Sequence, residues 1–157
     1  TQTYKNRYLW HSLRFLDTKL LDKVSDSLPY QPVTLSKLQA SASHLVAALP
    51  YLLAVKFNYD VKQGGFAQFI YNLQGEFLAD VENMLIAANA AVAHDYYVRA
   101  VTVCLESKAD YFRFLTSNFT EANGVKHALQ LLSVEYLQKQ IDFAKEVEGY
   151  LKSCPRA

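Results

Sequence analysis

The chain has few residues that break helices or cross-link loops. Among its 157 residues are five glycines, four prolines and two cysteines. Long uninterrupted elements are therefore expected, not a loop-rich all-β fold. Cys104 and Cys154 are too few for a disulfide framework and belong to no metal-binding motif, so a reducing compartment, the cytoplasm, is expected.

Neither sign of charge dominates the sequence. Sixteen Lys and Arg stand against fifteen Asp and Glu, and no basic run is present, so direct binding of nucleic acid is not expected. No apolar run approaches the length of a membrane span. The four histidines are isolated from one another, and we expect no metal, no cofactor and no catalytic site.

The apolar residues follow helical spacing along the chain, and 51% of all residues are hydrophobic. No segment alternates with a period of two for long enough to indicate a strand. We predict an all-α fold, with residues 1–157 forming a single compact domain of about seven to eight helices. Its first and last helices are predicted to be long, with Ser133 capping the last. The first stripe is Leu9, Leu13, Leu16, Leu20 and Val24, and the last is Leu137, Ile141, Ala144, Val147 and Leu151.

Residues on these stripes are predicted to form the core. Each should be largely buried, because an amphipathic helix turns its apolar face inward. The predicted core residues are Leu13, Leu16, Leu20, Leu45, Leu49, Phe66, Phe69, Leu85, Val101, Leu137 and Ile141.

Two adjacent glycines, Gly64 and Gly65, separate two helical patterns with almost no linker. Glycine accepts a positive φ without steric cost, so we predict a positive φ at one of the two. The pair is not a phosphate-binding loop, because no Lys-Ser/Thr follows it and no strand precedes it. The sequence predicts a tight joint between helices, in which Gln68, Tyr71 and Asn72 satisfy backbone groups of loops.

The run from Gln63 to Asn72 resembles the signature of a bacterial DNA-mimic protein family, a helical domain of unknown function. Members typically show Asn-Gly-Gly-Phe-x-Gln-Phe/Tyr-Phe-Tyr-Asn, and here Gln63 replaces the Asn and Ile70 an aromatic residue. The resemblance extends over roughly residues 45–152. It implies an all-α domain without established enzymatic activity, a homodimer, and binding to the DNA-binding surface of a helix-turn-helix repressor. The matching motif residues, which we expect to be mainly structural, are Gly64, Gly65, Phe66, Gln68, Phe69, Tyr71 and Asn72.

A DNA mimic needs carboxylates in place of phosphates. Residues 63–157 carry eleven Asp and Glu against eight Lys and Arg, a small excess. Alternatively, aromatic anchors can carry binding to a protein. The candidate contacts are therefore the acids Glu76, Asp80, Glu82, Asp142 and Glu146, or the tyrosines Tyr30, Tyr51, Tyr96 and Tyr111.

We expect a non-enzymatic domain that binds another protein and occludes its surface, and a transcription regulator is one such partner. An immunity or antitoxin protein that neutralises a toxin is the alternative of the same physical kind. An uncharacterised enzyme is the alternative from a different class.

Overall fold

The computed structural model describes the backbone of residues 35–154 and the side chains of residues 47–154. Every regular element in this part of the chain is a helix, so the all-α prediction is confirmed. The seven helices of residues 35–154 are α1 (Leu35–Leu73), α2 (Leu78–Ala87), α3 (Ala91–Glu106), α4 (Lys108–Thr116), α5 (Gly124–Gln138), α6 (Phe143–Glu146) and α7 (Glu148–Ser153). The predicted first helix lies outside the described residues.

The longest element, α1, is broken once along its length. Gly65 has φ 71° and ψ −167°, and the residues on either side continue as helix. The prediction of a positive φ in the glycine pair is therefore confirmed. Because an L side chain is strained in this conformation, only glycine allows α1 to turn here without an intervening loop. The break divides α1 into a long arm, residues 35–64, and a short arm, residues 66–73.

The core lies between the two arms of α1 and the helices that follow. α5 packs against α1, α3 and α4, and α2 fills the space between α1 and α3. Phe57 on the long arm lies at the centre, with its ring centroid 5.2 Å from that of Phe69 on the short arm and 4.7 Å from that of Phe143. Phe66 contacts Tyr136 of α5 at 5.5 Å. Aromatic rings thus join both arms of α1 to the C-terminal helices.

Most of the predicted core residues that can be compared are buried. Leu49, Phe66, Phe69 and Leu85 are buried. Val101 and Ile141 are only half-buried, at the edge of the core. Leu13, Leu16 and Leu20 lie outside the described residues, and so does the side chain of Leu45.

The prediction for Leu137 is wrong, because its side chain is exposed. The buried residues of α5 are Val125, Leu129, Ser133 and Tyr136, so the helix presents a different face to the core from the one inferred. Leu137 follows Tyr136 by about 100° around the helix axis.

The predicted long terminal helix is also wrong. α5 ends at Gln138, Gln140 adopts a positive φ of 55°, and two short helices follow. Ser133 is therefore not a cap but an interior residue of α5. The predicted apolar spacing continues across this break, but the chain does not stay helical: Phe143 is buried from α6, and Val147 is buried between α6 and α7.

Candidate functional site

The glycine joint of α1 is closed by direct contact with α5. The backbone N–H of Phe66 donates to Ser133 Oγ at 2.8 Å, and the Ser133 hydroxyl donates to the Leu129 carbonyl at 2.7 Å. A Cβ at Gly65 would lie 2.3 Å from Ser133 Oγ, closer than any two such atoms can approach. The Cα of Gly65 and the N–H of Phe66 therefore pack against Ser133, and on this side the joint leaves no space for a ligand.

A polar chain links the two arms of α1 beside the joint. Lys56 Nζ lies 3.2 Å from Asp60 Oδ1, and Asn72 Nδ2 donates to Asp60 Oδ2 at 3.0 Å. Gln68 Nε2 donates to Asn72 Oδ1 at 2.8 Å. Asp60 is buried, and its desolvation raises its carboxyl pKa above the usual value despite the bond from Asn72 and the charge of Lys56. Gln68 and Asn72 thus bond to side chains, so the expectation that they satisfy loop backbone is wrong for these two residues.

Tyr71 does satisfy loop backbone, as expected. Its hydroxyl donates to the Ser117 carbonyl at 2.9 Å. Its ring packs at 5.4 Å from Phe114 and 5.2 Å from Phe119, measured between centroids. The family-like run is therefore used to hold α1 against α4 and α5.

The first acidic group lies around the start of α2. Glu76 precedes the helix, and Asp80 lies in its first turn, where a negative charge complements the helix dipole. Glu82 Oε2 lies 3.4 Å from His94 Nε2 on α3, a contact without hydrogen-bond alignment. Asp80 is exposed, whereas Glu76 and Glu82 are half-buried.

The second acidic group, Asp142 and Glu146, lies at the two ends of α6. Asp142 caps α6, because its side chain accepts the backbone N–H of Lys145 at 3.1 Å. Glu146 is half-buried, and desolvation raises its pKa above the usual value. Glu135 lies on α5, which ends before Asp142, and it accepts the Tyr96 hydroxyl at 3.2 Å.

The candidate tyrosines lie mostly inside the protein. Tyr96 is buried, with the Arg99 guanidinium 4.9 Å and Lys139 Nζ 5.8 Å from its ring centroid. Tyr51 is half-buried and packs against the core. Tyr111 is half-buried too, and desolvation raises its pKa to about 12. Tyr30 lies outside the described residues.

Many acidic side chains have a basic neighbour. Within residues 46–154, twelve Asp and Glu stand against nine Lys and Arg. Ion pairs leave this excess of three unchanged, but they place a cation beside several of the carboxylates. The pairs beyond those described above are Asp95 and Glu135 with Arg99, Asp110 with Arg113 and Glu148 with Lys152.

The outward face of α5 carries an apolar surface that the sequence patterns did not predict. Leu131, Val134 and Leu137 are 59%, 55% and 43% exposed, and they follow one another at intervals of three residues. We call these three residues the α5 ridge. The signal was present in the sequence, because α5 carries more large apolar residues than one buried stripe can use.

A shallow depression adjoins the start of α5. It is lined by Asn123, Lys126, His127 and neighbouring residues, and Lys126 Nζ is already directed to the Phe119 carbonyl. Across the described part of the chain, no three His, Cys, Asp or Glu side chains cluster as metal ligands would. No helix searched in that part is long and apolar enough to span a bilayer.

Comparison with known proteins gives one family. The family described as DMP19-like protein matches residues 46–154, close to the region expected from the resemblance. No curated protein and no solved structure matches the chain. Since the match covers well over half of the sequence, the chain belongs to the DMP19-like protein family.

Proposed function

We propose that this protein is a non-enzymatic binding domain that occludes the surface of a protein partner, and that the partner is a transcription regulator. Membership of the DMP19-like family supports a protein-binding role, and the run from Gln63 to Asn72 resembles the signature of DNA-mimic proteins, which implies binding to a repressor in place of DNA. Such a partner would be cytoplasmic, and the free thiols of Cys104 and Cys154 agree with that compartment.

The observation that carries the proposal is the α5 ridge. The other faces of α5 pack against α1, α3 and α4, so the helix is rigidly held while Leu131, Val134 and Leu137 face outward. Fully burying an exposed side chain of this size contributes about 1.5–3 kcal/mol, and these three are only about half exposed, so covering each one would contribute about half of that. Together the three residues supply apolar surface for the centre of an interface.

The charges favour the ridge over an acidic array. A phosphate mimic needs several carboxylates that are free to meet Lys and Arg of the partner. Here Glu82 has His94 beside it, and Asp142 caps its own helix. We therefore propose that apolar contact supplies most of the affinity and that the acids contribute to orientation.

The test is displacement of a regulator from its operator DNA. Candidate regulators are those encoded beside the gene, each tested with the full chain in a gel-shift titration. We expect the wild-type protein to release one regulator from DNA, and Val134→Glu to weaken that effect at least about tenfold.

Phe112→Glu is the matched control, because Phe112 is exposed on α4, outside the ridge. It should displace the regulator as well as wild type does. Equal activity of Val134→Glu and wild type would contradict the role of the ridge. Failure to bind any neighbouring regulator, together with neutralisation of a neighbouring toxin, would favour an immunity protein.

A further inference from the structure

A small cavity lies between the long arm of α1, the end of α5 and the start of α6. Its volume is about 20 Å³. Phe57, Val61 and Phe143 form apolar walls, and all three are buried. Lys62 and Leu137 also line the cavity and are exposed, so it lies close to the surface beside the α5 ridge. We call this space the α1–α5 cavity.

Two polar side chains line the α1–α5 cavity without a partner among the described residues. Asn58 Oδ1 and Tyr136 Oη are shielded from solvent, and neither atom has a hydrogen bond within that part of the chain. Tyr136 is only 4% exposed. A buried hydroxyl or amide oxygen without a hydrogen bond destabilises the folded state, so such groups nearly always have a partner.

The chemistry of the two atoms is complementary to that of water. A phenol hydroxyl can donate a hydrogen bond, whereas an amide oxygen accepts one. Desolvation, and after it the charge of Glu146, raises the pKa of Tyr136 to about 12, so the hydroxyl stays protonated at neutral pH. A buried water needs a space of about 10–15 Å³ and two to four polar partners. The α1–α5 cavity offers that space and two such partners.

We propose that the α1–α5 cavity holds one structural water, which accepts a hydrogen bond from the Tyr136 hydroxyl and donates one to Asn58 Oδ1. The water joins α5 to the long arm of α1. Three residues earlier on α5, Ser133 bonds to Phe66 of the short arm. α5 therefore holds each arm of α1 by one polar contact, and the two arms are fixed relative to each other across the break at Gly65.

Tyr136→Phe tests the proposal, because it removes the hydroxyl and keeps the ring that packs against Phe66 and Tyr96. If the water is bound, the variant loses a satisfied hydrogen bond, and its midpoint of thermal unfolding should fall by about 2–4 °C. If the cavity is dry, the variant loses only an unsatisfied hydroxyl, and its midpoint should stay the same or rise. Tyr59→Phe is the matched control on the long arm, because Tyr59 is 61% exposed, and it should leave the midpoint unchanged.

Asn58→Ala tests the other end of the bridge. Asn58 Oδ1 and Tyr136 Oη do not bond to each other, so a coupling between the two substitutions indicates a group that both atoms contact. Asn58→Ala should therefore lower the midpoint less in the Tyr136→Phe background than in wild type.

A crystal structure of the full chain identifies the bridging group directly. It should show one water at about 2.5–3.0 Å from both atoms in wild type, and no water bonded to residue 136 in Tyr136→Phe. A dry cavity, a direct protein partner for the Tyr136 hydroxyl, or effects of the two substitutions that simply add would each overturn the proposal.

Discussion

Two separate features exclude a side chain at Gly65, its backbone conformation and its neighbour Ser133. Its φ of 71° disfavours any side chain, and Ser133 occupies the space that a Cβ would need. The same serine accepts the amide N–H of Phe66, so the contact that excludes a side chain also satisfies the backbone group freed by the break. Gly149 on α7 is different, because nothing lies within 4 Å of a Cβ built there.

Gly65→Val should therefore destabilise the fold. The strained backbone alone should cost about 1–3 kcal/mol, and displacement of Ser133 should add to that. Gly149→Ala is the control and should be as stable as wild type or up to about 1 kcal/mol more stable, because alanine favours a helix more than glycine does. Urea unfolding of the two variants measures the difference, and equal stabilities would contradict this account of the joint.

Asp60 makes a contribution to stability that depends on pH. Its pKa lies above the ordinary value of 3.8 in the folded chain, chiefly because the carboxyl is desolvated. Between the unfolded and folded pKa values the folded state binds more protons, so the free energy of unfolding falls as pH rises through that interval. Asp60→Asn removes this titration.

We expect the stability of wild type minus that of Asp60→Asn to decrease as pH rises from about 4 and to level off above the folded pKa. Denaturant unfolding at a series of pH values provides the comparison. Glu146 also has a raised pKa, but it is present in both proteins and cancels in the difference. A difference that grows with pH would mean that Lys56 and Asn72 outweigh the burial of Asp60.

At the scale of elements, α5 depends on its first residues. Asn123 Oδ1 accepts the backbone N–H groups of Val125 at 2.9 Å and Lys126 at 3.1 Å, while its Nδ2 donates to the Asp110 carbonyl at 3.0 Å. One side chain thus caps α5 and ties it to α4.

Asn123→Ala should cost about 1–2 kcal/mol, at the upper part of the range for helix caps, because the bond to α4 is lost as well. Asn123→Asp keeps the capping oxygen and loses only the donor, so its stability should lie between those of Asn123→Ala and wild type. Thermal unfolding of the three proteins gives the order. If Asn123→Asp were no more stable than Asn123→Ala, the loss of the helix cap would not explain the destabilisation.

The sequence was informative where a local pattern decides the structure. The positive φ in the glycine pair and the helical class both follow from backbone preference and apolar spacing. α5 was misread, because spacing alone cannot tell which of two apolar faces is buried. Ser133 resembles a helix cap in sequence, but its hydroxyl bonds to Phe66, a partner 67 residues away. Such long-range pairing depends on tertiary packing, and no local pattern contains it.

At the scale of the whole molecule, the distribution of charge affects how a partner can bind. The chain as a whole is close to neutral, and residues 46–154 carry only three more acids than bases. Several of the acids also have a cation close by, as Asp95 has Arg99. Long-range attraction of a basic partner is therefore weak, and the α5 ridge remains as the extended apolar feature that the proposed interface uses.

The salt dependence of partner binding depends on whether the apolar α5 ridge or the acidic side chains supply most of the affinity. If the ridge supplies most of the affinity, raising salt from about 50 to 200 mM should weaken binding by less than about tenfold, because apolar contact involves no counterion release. Val134→Glu should weaken binding at both salt concentrations, whereas Asp80→Asn should have little effect at either. A carboxylate array would behave in the opposite way, with a loss of about a hundredfold or more on adding salt and a reduced salt slope for Asp80→Asn. Titration calorimetry of wild type, Val134→Glu and Asp80→Asn at both salt concentrations therefore distinguishes an apolar interface from DNA mimicry.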